Sequence, residues 1–297
     1  MQLTGTFSRE DNKTTTIYAF CAFCSFSAQS IILREVSDDV SATAIVGLRS
    51  AIAFLVLVPL FVVDRHSLIP RRGLGLLFLR ALFTGLGMTT ATIAITRIAL
   101  TSFTLFQMSE VFFTMTLAAL FLKERIRARQ WWGIIIGSFG VLLVLRPGAI
   151  AFSWWDLLAL SSAFFLALSA CLFRLGRQAY SIAAVLFWQN LGICVIFLPA
   201  GIVSWHTPSA VDAGLLAMLS LMQAAAQVLY ARAIMTGAIS CIAPLHYTRL
   251  VIVTILAYLI CQELPSSIEI AGALVICLGT WWTIAQGRQW QRASLPR

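Results

Sequence analysis

Charge is scarce in this chain. Aspartate and glutamate number 12 in 297 residues, charged residues of both signs make up 11%, and histidine occurs three times. A soluble surface is about a quarter to a third charged, so most of this chain has no water-facing surface to clothe. Carboxylates and histidines this sparse leave little for catalysis. There is no metal-ligand cluster, nucleophile motif or Gly-rich phosphate loop, and nothing that could bind ATP. The seven cysteines, at 21, 24, 171, 194, 241, 261 and 277, are odd in number and lie in apolar stretches. Cys21-x-x-Cys24 has metal or redox spacing but no second pair and no nearby histidine, so these cysteines read as small packing residues. Neither a cofactor nor an enzyme activity is expected.

What the chain does have is apolar length. Hydrophobic residues make up 60% and the mean hydropathy is +0.89. No soluble domain of this size hides that much apolar side chain, so the solvent is lipid. A spanning helix needs about 20 apolar residues, and ten such segments are predicted: 15–34, 41–63, 74–97, 99–121, 130–146, 154–173, 181–204, 209–235, 239–261 and 266–287. The expected fold is an all-α polytopic membrane protein. Residues 1–14 and 288–297 read as polar tails, and the first apolar segment reads as a retained helix and not as a cleaved signal.

The formal charge of +9 is topological in origin. With the N-terminus inside, fifteen of the 21 basic residues fall on inner-side segments. Arg34, Arg97 and Arg146 fall outside, and Arg49, Arg80 and Arg249 fall within helices. The positive-inside bias then puts both termini in the cytoplasm. It argues against a nucleic-acid partner.

An internal repeat runs through the chain. Glu124, Gly133 and Gly140 recur 139 residues later as Glu263, Gly272 and Gly279, at the same helix junction. The same offset sets Gln107, Ser109 and Glu110 opposite His246, Thr248 and Arg249. At an offset of 140, Arg49-Ser50 matches Gln189-Asn190 and Pro59 matches Pro199. The chain thus divides into 15–148 and 149–287, two halves of five helices each. Because five is odd, the halves must have opposite orientations in the membrane, and inverted repeats are the common design of secondary transporters, with solute bound between the halves at mid-membrane.

The junction motifs carry a resemblance. They are Phe121-Leu122-Lys123-Glu124-Arg125, Trp131-Trp132-Gly133 to Gly140, and Leu145-Arg146-Pro147-Gly148. The second half adds Ala243-Pro244-Leu245-His246-Tyr247 and Glu263-Leu264-Pro265. With these the chain resembles the EamA-type, ten-helix members of the drug/metabolite transporter superfamily. Its look is nearest to the branch containing riboflavin and S-adenosylmethionine importers. The resemblance implies a small-molecule substrate, the lipid bilayer as surroundings, and alternating access driven by a gradient. A coupling proton or sodium ion and a homodimer are further partners left open. The chain departs from the family at Glu110 and Arg249, where most relatives are expected to be uncharged.

Those two residues head the candidate substrate-binding set. Glu110 lies about eleven residues, or roughly 16 Å, into the fourth span, and Arg249 lies about as deep in the ninth. A charge at that depth costs on the order of 2.5–3.5 kcal/mol on insertion scales, so neither should face lipid. Gln107 shares a helix face with Glu110 at i,i+3, as His246 does with Arg249. Arg249 would hold a carboxylate or phosphate, and Glu110 an ammonium group or a coupling proton. Against this stands a permanent salt bridge that only fixes packing. Arg49 and its repeat mate Gln189, together with Gln227, complete the polar candidates, and Trp188, Tyr230 and Tyr247 are candidates to stack on a ring. Arg49 is expected either to face the cavity or to pair with Glu35, Asp38 or Asp39. Arg80 is expected to snorkel to the interface. Gly85, Gly87 and Pro59, Pro199 and Pro244 are candidate bends. The expected function is transport of a small polar metabolite: an amino acid or derivative, or a vitamin- or nucleoside-like solute. A membrane-embedded enzyme of lipid or cell-wall metabolism and a non-transporting subunit are the alternatives.

Overall fold

Residues 9–36, 40–64, 68, 73–121, 128–145, 153–176, 180–203, 209–236, 246–262 and 264–293 are described by the computed structural model of the protein. Every regular element among them is helical: α1 (Arg9–Glu35), α2 (Ala42–Val63), α3 (Leu74–Ile95), α4 (Leu100–Met108), α5 (Glu110–Phe121), α6 (Ala128–Leu145), α7 (Trp154–Gly176), α8 (Ile182–Val203), α9 (Ala210–Thr236), α10 (His246–Cys261) and α11 (Ser267–Ala293). Helices α4 and α5 form one span, Leu100–Phe121, so eleven helices fill the ten predicted segments. Seven spans are long and apolar enough to cross a bilayer, and three are shorter apolar helices within α6, α10 and α11. Residues 239–245 of the ninth predicted segment lie outside the described residues, as do Pro244, Glu124 and Glu263.

The outer surface is apolar, with Leu55, Val63, Ile135, Leu142, Leu259 and Leu278 all exposed. Polar side chains such as Ser50, Gln107, Ser162, Gln189, Asn190 and Gln223 are buried instead. That inversion of the usual arrangement is what lipid demands. Ser27, Thr84, Thr104 and Thr116 return their hydroxyls to the carbonyl one turn back, which satisfies them without leaving the helix.

Helix starts are capped where the chain leaves the apolar layer. Ser41 Oγ accepts from the Ala44 N–H at 3.3 Å, and 140 residues on Ser181 Oγ accepts from the Ala184 N–H at 3.1 Å. At α9 Ser209 Oγ accepts from the Asp212 N–H and donates to its carboxylate, and at α11 Ser266 and Glu269 form a reciprocal cap. Ser181→Ala is expected to lower stability by about 1 kcal/mol, read as a lower melting midpoint in detergent, with the fold unchanged.

Helix neighbours follow a pattern that survives exchange of the two halves. Helix α1 packs on α9 as α3 packs on α7, and α2 packs on α9 as α3 packs on α8. Helix α1 meets α10 as α4 and α5 meet α7. Three pairs map onto themselves: α2 with α8, α4 with α10, and α6 with α11.

The α6–α11 seam explains the repeated glycines. A Cβ on Gly140 would lie 2.9 Å from the Ile276 backbone nitrogen and 3.0 Å from the Gly272 oxygen. A Cβ on Gly279 would lie 2.5 Å from the Gly137 nitrogen and 2.7 Å from the Gly133 oxygen. Gly140 thus faces Gly272 while Gly133 faces Gly279, so the two helices run antiparallel. Exchanging each residue with its repeat mate turns one contact into the other. Bare backbone on both sides lets the axes approach closely, the usual means of holding helices together in lipid.

Helices α2 and α8 are also antiparallel, but their two ends are sealed differently. At one end a Cβ on Gly47 would come within 2.6 Å of Leu198 Cα, and Gly201 rests on the Ala44 backbone. At the other end Phe61 and Phe187 meet edge to face with centroids 5.2 Å apart, joined by Phe54. Phe187 is the repeat mate of Gly47, and Phe61 is that of Gly201. Gly85 and Gly87, expected as bends, are points of close packing: Gly85 against the Phe197 ring, and Gly87 against Leu166 and the Ser162 carbonyl.

Candidate functional site

The fourth span breaks its regular ladder at mid-depth. The Ser109 N–H bonds back to Phe106 O at 3.0 Å, one residue short of the α-helical step, and the ladder resumes from Phe113 N–H to Ser109 O at 3.0 Å. Glu110 is the first residue beyond this break, at the N-terminus of α5, where the helix dipole favours a carboxylate. Leu100 to Glu110 is ten residues, or roughly 15 Å along the axis. Helix α10, which packs on α4, carries Arg249 close enough for its charge to be felt at Glu110.

Around this pair lie polar atoms with no partner. Arg249 Nε is buried without an acceptor, and Ser109 Oγ is buried without a bond. Gln107 uses its Nε2 to donate to Ser162 Oγ on α7 at 2.9 Å, but its Oε1 is left bare. Buried polar groups are normally satisfied, so three orphan atoms, one on Arg249 and two beside Glu110, mark capacity kept for something that arrives.

The other candidates fall into separate groups. Arg49 does not reach Glu35. It donates Nη2 to Gln29 Oε1 on α1 at 2.7 Å, while Asp38 and Asp39 lie outside the described residues. Gln189 accepts from Arg80, and Tyr230 acts electrostatically on that same arginine while its ring packs edge-on against Phe23 and Phe26. Gln227 accepts from Asn190 Nδ2 at 3.0 Å, tying α9 to α8. Trp188 donates Nε1 to the Leu68 carbonyl at 2.8 Å and packs on Phe78 and Phe187, so its ring is held within an aromatic cluster. The side chains of His246 and Tyr247 lie outside the described residues.

Arg80 corrects the sequence reading. Its guanidinium does not climb to the interface. It turns inward, donates Nη1 to Gln189 Oε1, and lies 5.2 Å from the centroid of the Phe173 ring. Position near a helix end had suggested snorkelling, yet the polar partner on α8 sits at the same level and outcompetes the longer route to water. Gln29, Ser162 and Thr84, which bonds Ser169 at 2.6 Å, were not among the candidates, and Asn190 was named only as a repeat match. The available signal was an amide or hydroxyl standing alone in an apolar run.

Apolar spans packed with their polar groups inward, around two opposite charges at mid-depth, define an integral membrane protein. The sequence profile of the EamA-like transporter family matches residues 13–146 and again 153–285, and the chain belongs to that family. An S-adenosylmethionine uptake transporter of Rickettsia bellii is 26% identical over 260 residues, covering 88% of this chain and 89% of its own. One from Rickettsia felis is 29% identical over 206 residues, covering 69% and 70%. A pseudopaline exporter of Pseudomonas aeruginosa is 25% identical over 266 residues, covering 89% and 93%. A protein of known crystal structure shares the fold at a TM-score of 0.67, covering 95% of this chain and 99% of its own, at 15% identity. The chain is a membrane transporter of a small molecule and not an enzyme.

Proposed function

We propose that this protein is a secondary transporter of the bacterial inner membrane with both termini in the cytoplasm. It moves a small polar metabolite by alternating access between two inverted five-helix halves, residues 15–148 and 149–287. The observation that carries this reading is the pair of opposite buried charges, Glu110 and Arg249, set at repeat-equivalent positions in mid-span beside unsatisfied polar atoms. The antiparallel α6–α11 seam, which maps onto itself under the 139-residue offset, supports the inverted relation. Gln107, His246, Arg49, Gln189, Trp188, Gln227, Tyr230 and Tyr247 complete the proposed solute-facing set.

An amino-acid derivative fits best. Its carboxylate suits Arg249 and its ammonium group suits Glu110. S-adenosylmethionine, named for the Rickettsia relatives, carries both groups and an adenine ring for the aromatics. Alternating access runs either way along the prevailing gradient, which accommodates relatives named for uptake and for export. The test is counterflow into proteoliposomes loaded with unlabelled S-adenosylmethionine. Transient accumulation of external label with no imposed ion gradient is expected. Label entry no faster than into empty liposomes, for S-adenosylmethionine and for a panel of amino acids and nucleosides alike, would end the transport reading.

A further inference from the structure

Arg249 lies within the electrostatic reach of Glu110, but among the described residues two other arginines in the spans have no carboxylate acting on them. Arg49 is buried, at 6% exposure, with one Nη2 bond to the Gln29 amide and no partner at Nε. Arg80 has one Nη1 bond to the Gln189 amide, the Phe173 ring beneath it, and likewise no partner at Nε. Among the described residues no carboxylate acts on either cation, and the group acting on Arg80 is the Tyr230 phenol.

This pairing is odd for a strut. An arginine keeps its charge at any working pH and offers five N–H donors. A glutamate in place of each glutamine would neutralise the charge and bond it more strongly. An amide oxygen instead orients the fork while leaving the cation uncompensated, and in an apolar span that leaves an electrostatic demand to be met by an incoming anion.

The two pairs also have related places. Gln189 is the repeat mate of Arg49, and each lies seven residues into its helix, roughly 10 Å from the start. Because α2 and α8 run antiparallel, those starts are at opposite ends of the bundle. One arginine–amide pair therefore stands toward each end, with Glu110 and Arg249 at mid-depth.

We propose that Arg80–Gln189 and Arg49–Gln29 are two anion stations, one toward each mouth of the carrier, that hold a carboxylate or phosphate group of the solute as it enters and leaves. This rests on the transporter reading above and narrows its cargo to solutes bearing an anionic group. Glutamine at the two stations is the specificity device: it keeps each cation positioned and unneutralised.

The test uses the full chain in phosphatidylcholine nanodiscs, with the shift in melting midpoint read against matched solutes. The pairs are S-adenosylmethionine with its decarboxylated form, and methionine with methioninamide, alongside inorganic phosphate. Wild type should respond to the anionic member at concentrations roughly tenfold lower than to its neutralised partner. Arg80→Gln should weaken that preference, the Arg49 station and Arg249 remaining. Gln189→Glu should weaken it too, while melting at or above the wild-type temperature, because it supplies the missing carboxylate from within. If Arg80→Gln fails to fold, Gln189→Glu and Gln29→Glu carry the test. Equal response of wild type to both members of each pair overturns the stations. So does no response to any carboxylate-bearing member, or a preference left undiminished in both Gln189→Glu and Gln29→Glu. A preference that follows phosphatidylglycerol added to the disc, and not the solute, assigns the cations to a lipid headgroup and equally overturns them. Carboxylate-blind counterflow removes the stations but keeps the transporter. Carboxylate-dependent binding without counterflow does the reverse.

Discussion

Gly279→Leu is expected to leave no folded protein in the membrane. A Cβ at this position would stand 2.5 Å from the Gly137 nitrogen and 2.7 Å from the Gly133 oxygen, both backbone atoms of the facing helix. A side chain in such a place can swing aside, but a helix backbone cannot without the whole seam opening. Overpacking in a core that can relax costs about 1–3 kcal/mol. Here the cost should exceed about 4 kcal/mol, the range reserved for a broken structural mechanism. Gly140→Leu meets Ile276 and Gly272 in the same way and should fail alike, whereas Gly214→Leu, with open space around it, should be tolerated. Size-exclusion profiles of fluorescently tagged variants would read all three. A monodisperse Gly279→Leu peak at wild-type yield would show that α6 and α11 do not meet as described.

The second large effect concerns Glu110 and Arg249. Neutralising either one, as Glu110→Gln or Arg249→Gln, should lower counterflow by on the order of a hundredfold, the scale of a lost charge contact to the solute. A single substitution also strands the opposite charge, which in a buried pair costs about 3–5 kcal/mol, so stability must be measured beside transport. The double variant Glu110→Gln with Arg249→Gln strands nothing. It should fold at wild-type yield and still not transport. The charge-swapped double, Glu110→Arg with Arg249→Glu, separates the roles. A strut works in either polarity, whereas a binding site for a zwitterion in fixed orientation does not. Full counterflow in the swapped variant would make the pair structural.

Much of the fold was legible because lipid imposes one rule on every segment. The ten apolar runs could be cut from the chain by length alone, and the boundaries of α2, α3, α7 and α8 fall within a few residues of the predicted ones. The glycine frame was visible as a repeat, but its purpose needed the third dimension, because spacing along one helix does not say which helix it faces. The approach of Glu110 and Arg249 to within electrostatic reach could be expected from the cost of two charges at depth. Where each remaining polar side chain turns could not, since one helix face offers several neighbours. Arg49 had acids nearby in sequence and went to Gln29, and Arg80 had water within reach and went to Gln189. Gln29 itself was overlooked, as an amide carries no charge to draw the eye.

The unlike seals at the two ends of α2 and α8 bear on energetics. Backbone laid on backbone at Gly47 and Gly201 hides little side-chain surface, while each phenylalanine at Phe54, Phe61 and Phe187 brings about 150–250 Å² to its contact. Parting the aromatic end therefore exposes more apolar area than parting the glycine end. Under the proposed alternating access, this would tilt the idle equilibrium toward the state with the aromatic end shut. The empty protein would then wait facing one compartment and first meet its solute from that side.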